Sequence, residues 1–379
     1  MSFNRDPGRV WASSLISLFI IAGLARAQQE IVEVRFQQPP RSMSDEARTQ
    51  QSIVKVQGTG GMCQDGLYLI THFGDREELF RKENQKALDT PMIQQTWRFC
   101  SVFSAGTEHC PIIGRNWDNQ NVGSIIVSFY QPPNGYSSIS FTRAIDIGFP
   151  LNVDLEQVKG SEMGNRLLLA PFYAMDGINE HGLTVAVAGV RPTTHAPRAN
   201  KQLVFTTFLI RMILDRTRSV EEAVAFINDF IPFDLDRNSF NAHFLVADAS
   251  GRSVILEHEQ DQWRIVRPQR SWQVLTTKPV FGVPDASLRE QCWRFRTISE
   301  ALDKTRGNAD RSAGMKLLQE VAQKGTTWSV VYAPKTLDLH FSVYQKWDVL
   351  YHLEGLWPRQ GDSTGPASDS TQRGGASER

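Results

Sequence analysis

Cys100, Arg115 and Asp118 fall within one short stretch, in the blocks Cys100-Ser101-Val102-Phe103-Ser104-Ala105 and Gly114-Arg115-Asn116-Trp117-Asp118. A thiol becomes a nucleophile when it loses its proton, and a nearby cation favours the thiolate. A carboxylate in the same place orients a protonated amine. Together the three groups suit attack on a carbonyl carbon through an acyl intermediate. A plainer reading makes Cys100 a core residue on a strand, with Arg115 and Asp118 an ordinary surface pair. Chemistry alone favours that plainer reading.

The elements around these residues decide whether they can meet. Each block has the composition of a strand, and the polar run from Gly106 to His109 between them predicts a hairpin that folds Arg115 and Asp118 back beside Cys100. Three more hairpins are expected. Ile125 to Gln131 and Tyr136 to Thr142 flank Asn134-Gly135, a pair that accepts the positive φ of a tight turn. His243 to Asp248 and Ser253 to His258 flank Ala249-Ser250-Gly251. Phe172 to Ile178 and Leu183 to Val190 flank Asn179-Glu180-His181-Gly182. Helical spacing of apolar residues predicts helices over Asp75 to Lys86, Gln202 to Thr217, Trp293 to Lys304 and Ala313 to Lys324. Ser219 with Glu222 opens another as a capping box. Ribbons and helix pairs in alternating blocks suggest an α+β layered fold rather than a doubly wound parallel sheet.

The pattern Cys-Ser-x-Phe-x-Ala followed by Gly-Arg-Asn-x-Asp resembles the start of the mature chain in the linear amide C–N hydrolases. That group includes choloylglycine hydrolases, penicillin V acylases, acid ceramidase and the acid amidase of N-acylethanolamines. Further landmarks follow in the family's order: Asp176-Gly177-Ile178-Asn179-Glu180-His181-Gly182-Leu183, Ser219-Val220-Glu221-Glu222-Ala223, Phe244 to Glu257, Gln291-Cys292-Trp293-Arg294-Phe295, and Thr327-Trp328-Ser329-Val330-Val331-Tyr332. The similarity runs from about Gly66 to Leu353.

The resemblance implies an N-terminal nucleophile hydrolase, an αββα sandwich of two antiparallel sheets between helical layers. It implies a precursor that cuts itself before Cys100, whose freed α-amino group then serves as general base. An α-amine titrates near 7.7–8.0, which suits proton exchange near neutral pH. By resemblance Cys100 is nucleophile and base, Arg115 positions thiol and substrate, Asp118 holds the α-amine, and Arg294 matches a supporting arginine. Replacing Arg115 or Asp118 is expected to stop turnover and leave the fold intact. The sequence departs from the family at Leu275-Thr276-Thr277-Lys278, where Thr277 stands at the asparagine that usually donates to the oxyanion. Loss of one such donor costs about 3–4 kcal/mol of barrier. A backbone N–H at Val190 or Arg191 is expected to supply the second donor. Acyl transfer through the same acyl-enzyme, a catalytically weak relative that binds small molecules, and a protein that only processes itself stay open as alternatives.

Bulk properties fit an exported enzyme. Of 379 residues, 41 are Lys or Arg and 41 Asp or Glu, so no basic excess points to nucleic acid. Four cysteines without a CxxC pair, and histidines without an HExxH arrangement, suggest neither a disulfide framework nor zinc, and no cofactor is expected. Arg5 and Arg9, an apolar run from Leu15 to Leu24 and then Ala25-Arg26-Ala27 read as a cleaved signal peptide over residues 1–27. The run is about half the length that spans a bilayer, so no membrane span is expected after its removal. Residues 28–99 read as a pro-segment, with a loose arm from Gln28 to about Ser52 and a short strand over Gly66 to Phe73, residues 100–357 as the catalytic domain, and residues 358–379 as a disordered tail. The expected partner is a small-molecule amide with an apolar acyl group, for which Phe129, Tyr130, Tyr136 and Phe172 are candidate walls or else core residues, and the sequence leaves a homo-oligomer open. A periplasmic or secreted location is expected.

Overall fold

The computed structural model describes residues 29–56, 66–89, 100–119, 123–194, 201–234 and 239–354. The expected signal peptide, Cys63, Phe99 and the expected disordered tail lie outside the described residues.

Two large sheets face each other. The first runs, edge to edge, β1 (Glu30–Glu33), β18 (Val349–Leu353), β17 (Asp338–Val343), β16 (Thr326–Ala333), β5 (Cys110–Asp118), β4 (Ser101–Thr107) and β15 (Gln273–Leu275). The second runs β14 (Gln262–Val266), β13 (Ser253–Glu259), β12 (Ser239–Ala247), β9 (Thr184–Thr194), β8 (Asp176–Asn179), β7 (Ser138–Arg143), β6 (Ile125–Tyr130), β3 (Leu67–His72) and β2 (Val54–Val56). A small ribbon pairs β10 (Gln202–Phe205) with β11 (Phe230–Phe233) in parallel. One apolar core fills the space between the sheets. Helices α5 (Asp285–Gln291), α6 (Trp293–Thr305) and α7 (Arg311–Glu320) cover the outer face of the first sheet through a second core built on Phe103, Phe295, Ile298 and Leu318. Helices α1 (Asp45–Gln51), α2 (Glu77–Asp89) and α3 (Thr206–Arg216) lie on the second sheet's side, and α4 (Val220–Phe226) follows α3. This is the α+β, four-layer αββα arrangement.

The hairpins form where turn chemistry puts them. The Cys100 hairpin turns at Glu108 and His109, with Thr107 opposite Cys110. Gly114 sits across from Phe103, and a Cβ on it would run into the Phe103 ring, so only glycine lets that ring lie flat on the hairpin. Ser219 caps α4 by accepting from the Glu222 N–H at 3.2 Å. Glu222, however, reaches back to the Arg218 N–H rather than to the cap residue, so half of the capping box is used.

Several expectations need correction. Phe172 and Tyr173 belong to a 3₁₀ segment, Met163–Tyr173, that precedes β8 and contains Pro171. The helix over Gln202 to Thr217 begins only at Thr206, because β-rich Leu203, Val204 and Phe205 pair with β11 instead. The largest change lies ahead of Cys100. The stretch expected as a loose arm forms β1 and α1, with β2 just beyond it, while the strand expected over Gly66 to Phe73 is present as β3 and buried along its whole length. Burying Leu67, Leu69 and Ile70 is worth about 1.5–3 kcal/mol each. Strand β1 pairs in parallel with β18 and β3 in parallel with β6, so both sheets draw strands from residues 28–99. Strands on both sides of Cys100 thus share the same two sheets.

Candidate active site

Cys100 stands immediately before β4 and its side chain is fully buried in the uncut chain. The register of β4 on β5 sets Val102 opposite Arg115 and Ser101 opposite Asn116, which brings the distal end of β5 back to the thiol. On the other side β15 sets Leu275 opposite Val102, so Thr277, two residues on, continues toward Cys100. The site is thus three neighbouring strand ends, with α6 laid over them.

Arg115 is fully buried and hydrogen-bonds the Cys100 side chain. Its Nε donates to Asp176 Oδ2, its Nη1 to the Asn116 carbonyl at 2.9 Å, and its Nη2 to the Val187 carbonyl at 3.1 Å. Burial works against the guanidinium charge, but Asp176 and the Cys100 thiol outweigh it and hold the Arg115 pKa above its ordinary value. Asp176 also accepts from Trp328 Nε1 at 3.1 Å and from the Tyr332 hydroxyl. Trp117 and Trp328 stack at 5.3 Å, with the guanidinium 4.7 Å from the Trp117 ring. Arg115 is therefore a buried tie between the two sheets at the point where Cys100 sits.

Arg294, in the first turn of α6, reaches the other face of the hairpin. Its Nη1 donates to the Cys100 carbonyl oxygen and to Ser101 Oγ at 2.9 Å, and its Nη2 donates to Thr277 Oγ1 at 3.3 Å. The same Nη1 lies 4.0 Å from Asp118 Oδ2. Asp118 is buried and accepts from Thr326 Oγ1 at 2.5 Å and Gln323 Nε2 at 3.2 Å. Burial pushes its carboxyl up to about 6, against the pull of the Thr326 hydrogen bond and the charges of Arg294 and Arg115.

Cys100, Arg115, Asp118, Thr277 and Arg294 thus meet in one place. Val190 and Arg191 sit further along β9, half-buried and exposed respectively, and no hydrogen bond joins either to Cys100 among the described residues. Beyond Gly189 the pairing of β9 with β12 shifts register, which turns this part of the strand off its regular course. Phe129, Tyr130 and Phe172 are core residues with aromatic neighbours. Phe129 packs on Phe36, while Tyr130 and Phe172 join Phe80 and Phe208 beneath α2 and α3. Tyr136 packs against His181 at a turn. Two buried side chains near this place were not singled out from the sequence as site residues. Asp176 was visible only as the first residue of a family landmark, although an acid entering an apolar strand carries a signal of its own. His243, discussed below, looked like one more residue of a hairpin. No group of three or more His, Cys, Asp or Glu among the described residues is arranged to hold a metal.

A family model described as linear amide C–N hydrolases, choloylglycine hydrolase family, matches residues 113–306. No curated protein sequence matches. Among solved structures, the chain is similar to a cysteine-to-alanine mutant of the conjugated bile acid hydrolase from Clostridium perfringens. The identity is 14% and the TM-score 0.50, over 67% of this chain and 92% of that one. An arginine-to-leucine variant of the same hydrolase gives 15% identity and a TM-score of 0.50, over the same shares. Penicillin V acylase from Agrobacterium tumefaciens gives 17% and 0.48, over 67% of this chain and 86% of that one. At these identities the likeness is one of fold.

Proposed function

This chain belongs to the linear amide C–N hydrolases of the choloylglycine hydrolase family, and from that premise we propose that it cuts itself before Cys100 and then works with Cys100 as an N-terminal nucleophile. As a member it is a hydrolase of C–N bonds other than peptide bonds, in linear amides. The observation that carries the finer reading is the convergence of two arginines on one residue: Arg115 bonds the Cys100 side chain and Arg294 bonds its carbonyl oxygen. A structural cysteine needs neither.

In this reading the freed α-amine of Cys100 takes the thiol proton, and the thiolate attacks the amide carbonyl. The amine leaves with a proton returned by the α-ammonium, and water then releases the acyl group. Asp118 neutralises the α-ammonium, and Arg294 fixes the backbone that carries it. Thr277, held by Arg294, offers its hydroxyl to the oxyanion, with a backbone N–H of Val190 or Arg191 as the second donor. Burial of the thiol in the uncut chain fits a precursor that is closed until it is cut. A cut before Cys100 would leave the two pieces bound, because β1 and β3 are built into the sheets. The enzyme is read as exported, with residues 1–27 lost before maturation.

The substrate class is an N-acyl amine or N-acyl amino acid. The exposed large aromatic side chains among the described residues are Phe281 and Trp293, one shortly after Thr277 and one immediately before Arg294. Such surfaces favour an apolar acyl chain, at about 0.8 kcal/mol per buried methylene. The test is a panel of N-acyl amides of graded chain length, assayed on the matured protein. Specificity should rise with chain length and then level off. Equal rates on unfolded polypeptide would overturn the reading.

A further inference from the structure

His243 sits at the centre of a buried hydrogen-bond chain that joins the two sheets behind Thr277. The residue is fully buried on β12. Its Nε2 meets the Thr276 carbonyl oxygen at 2.6 Å, and its Nδ1 meets Glu257 Oε1 at 2.8 Å. Glu257, on β13 and 8% exposed, also accepts the Val280 N–H at Oε1 and the Phe281 N–H at Oε2, both at 2.8 Å. One histidine–glutamate pair therefore grips the segment after β15 at three backbone points, on both sides of Thr277.

The protons follow from what each partner can do. A carbonyl oxygen only accepts, so Nε2 carries a hydrogen. Burial pushes the Glu257 carboxyl up, but the His243 hydrogen bond and charge and the two backbone N–H groups outweigh it and hold its pKa below the ordinary value. At Nδ1 the ring meets a carboxyl that two backbone N–H groups already hold in place, so its orientation is fixed from both nitrogens.

We propose that His243 is a positioning residue of the hydrolase: clamped by Glu257, it fixes the Thr276 carbonyl and thereby sets where Thr277 meets Arg294 beside Cys100. This rests on the reading of Cys100 as nucleophile and of Thr277 as its neighbour in catalysis. A pair that merely tied the sheets together would change stability without changing the chemical step.

Two measurements on the full-length, matured protein decide it. With ¹⁵N-labelled histidine, the His243 signals are assigned by their disappearance in His243→Gln. A protonated Nε2 in the wild type is expected, held by its bond to the Thr276 carbonyl. A bare Nε2 in the wild type overturns the proposal, and this readout needs no activity. With dodecanoyl p-nitroanilide as probe, His243→Gln and Glu257→Gln should lower kcat about tenfold or more with KM little changed. An active wild type with variants of equal kcat sinks this proposal alone. A wild type inactive on the whole acyl-amide panel sinks the parent reading and this proposal with it.

Discussion

Arg115 on one sheet and Asp176 on the other form a fully buried ion pair beside Cys100. The pair joins the layers of the sandwich at the point where the thiol sits, so the cation beside Cys100 also ties the sheets together. Removing one partner leaves the other charged in the interior. Arg115→Ala should therefore cost about 3–5 kcal/mol of stability in addition to abolishing turnover. Arg115→Met combined with Asp176→Asn should recover much of the stability and none of the activity. Urea midpoints and acylation rates for the three proteins check this. A single Arg115→Ala variant that unfolds at the wild-type midpoint would remove the tie from the account.

Asp118 gives a pH-dependent prediction. Its folded carboxyl is pushed up to about 6 from a usual 3.8. The folded chain therefore binds a proton more readily than the unfolded chain between those values, and stability falls as pH rises through that window. In a Cys100→Ala background, which keeps the chain uncut, Asp118→Asn should be the more stable protein above about pH 6, by up to about 3 kcal/mol. The difference should shrink toward zero below about pH 4. Melting temperatures across this range test it, and a gap that is constant with pH would contradict it.

How much of this was legible in the sequence depends on the kind of contact. The Cys100 hairpin, its turn at Glu108 and His109 and the strands around Asn134-Gly135 follow from local turn chemistry and alternation, which a sequence displays directly. The meeting of Cys100, Arg115 and Asp118 follows from that hairpin alone. Arg294 and Thr277 were reached only through resemblance, because their closeness to Cys100 depends on β15 and α6 packing from far along the chain. Local cues say nothing about such pairing. The same reason hid Asp176, His243 and Glu257, whose partners lie on other strands. The stretch from Gln28 to Ser52 was misread because its one strand, β1, is short and half polar and is stabilised by pairing with β18, more than 300 residues away. Polar composition indicates little apolar burial, but it does not exclude a ladder of backbone hydrogen bonds at a sheet edge.

Thr277 is where this chain departs most plainly from its family, and Arg294 ties its hydroxyl at 3.3 Å. Thr277→Val removes the hydroxyl and should slow acylation about 10- to 100-fold, with less effect on deacylation. Thr277→Asn should preserve the acylation rate or raise it. Burst kinetics separate the two steps. Unchanged bursts in both variants would move the oxyanion donor elsewhere.

The central claim is that Cys100 becomes an N-terminus and acts from there. The most direct measurement is the intact mass of the purified protein under denaturing conditions, followed by N-terminal sequencing of the larger piece. The account predicts two pieces, the larger beginning at Cys100, in the wild type and a single uncut chain in Cys100→Ala. A fully active protein in which Cys100 is still joined to Phe99 would contradict it.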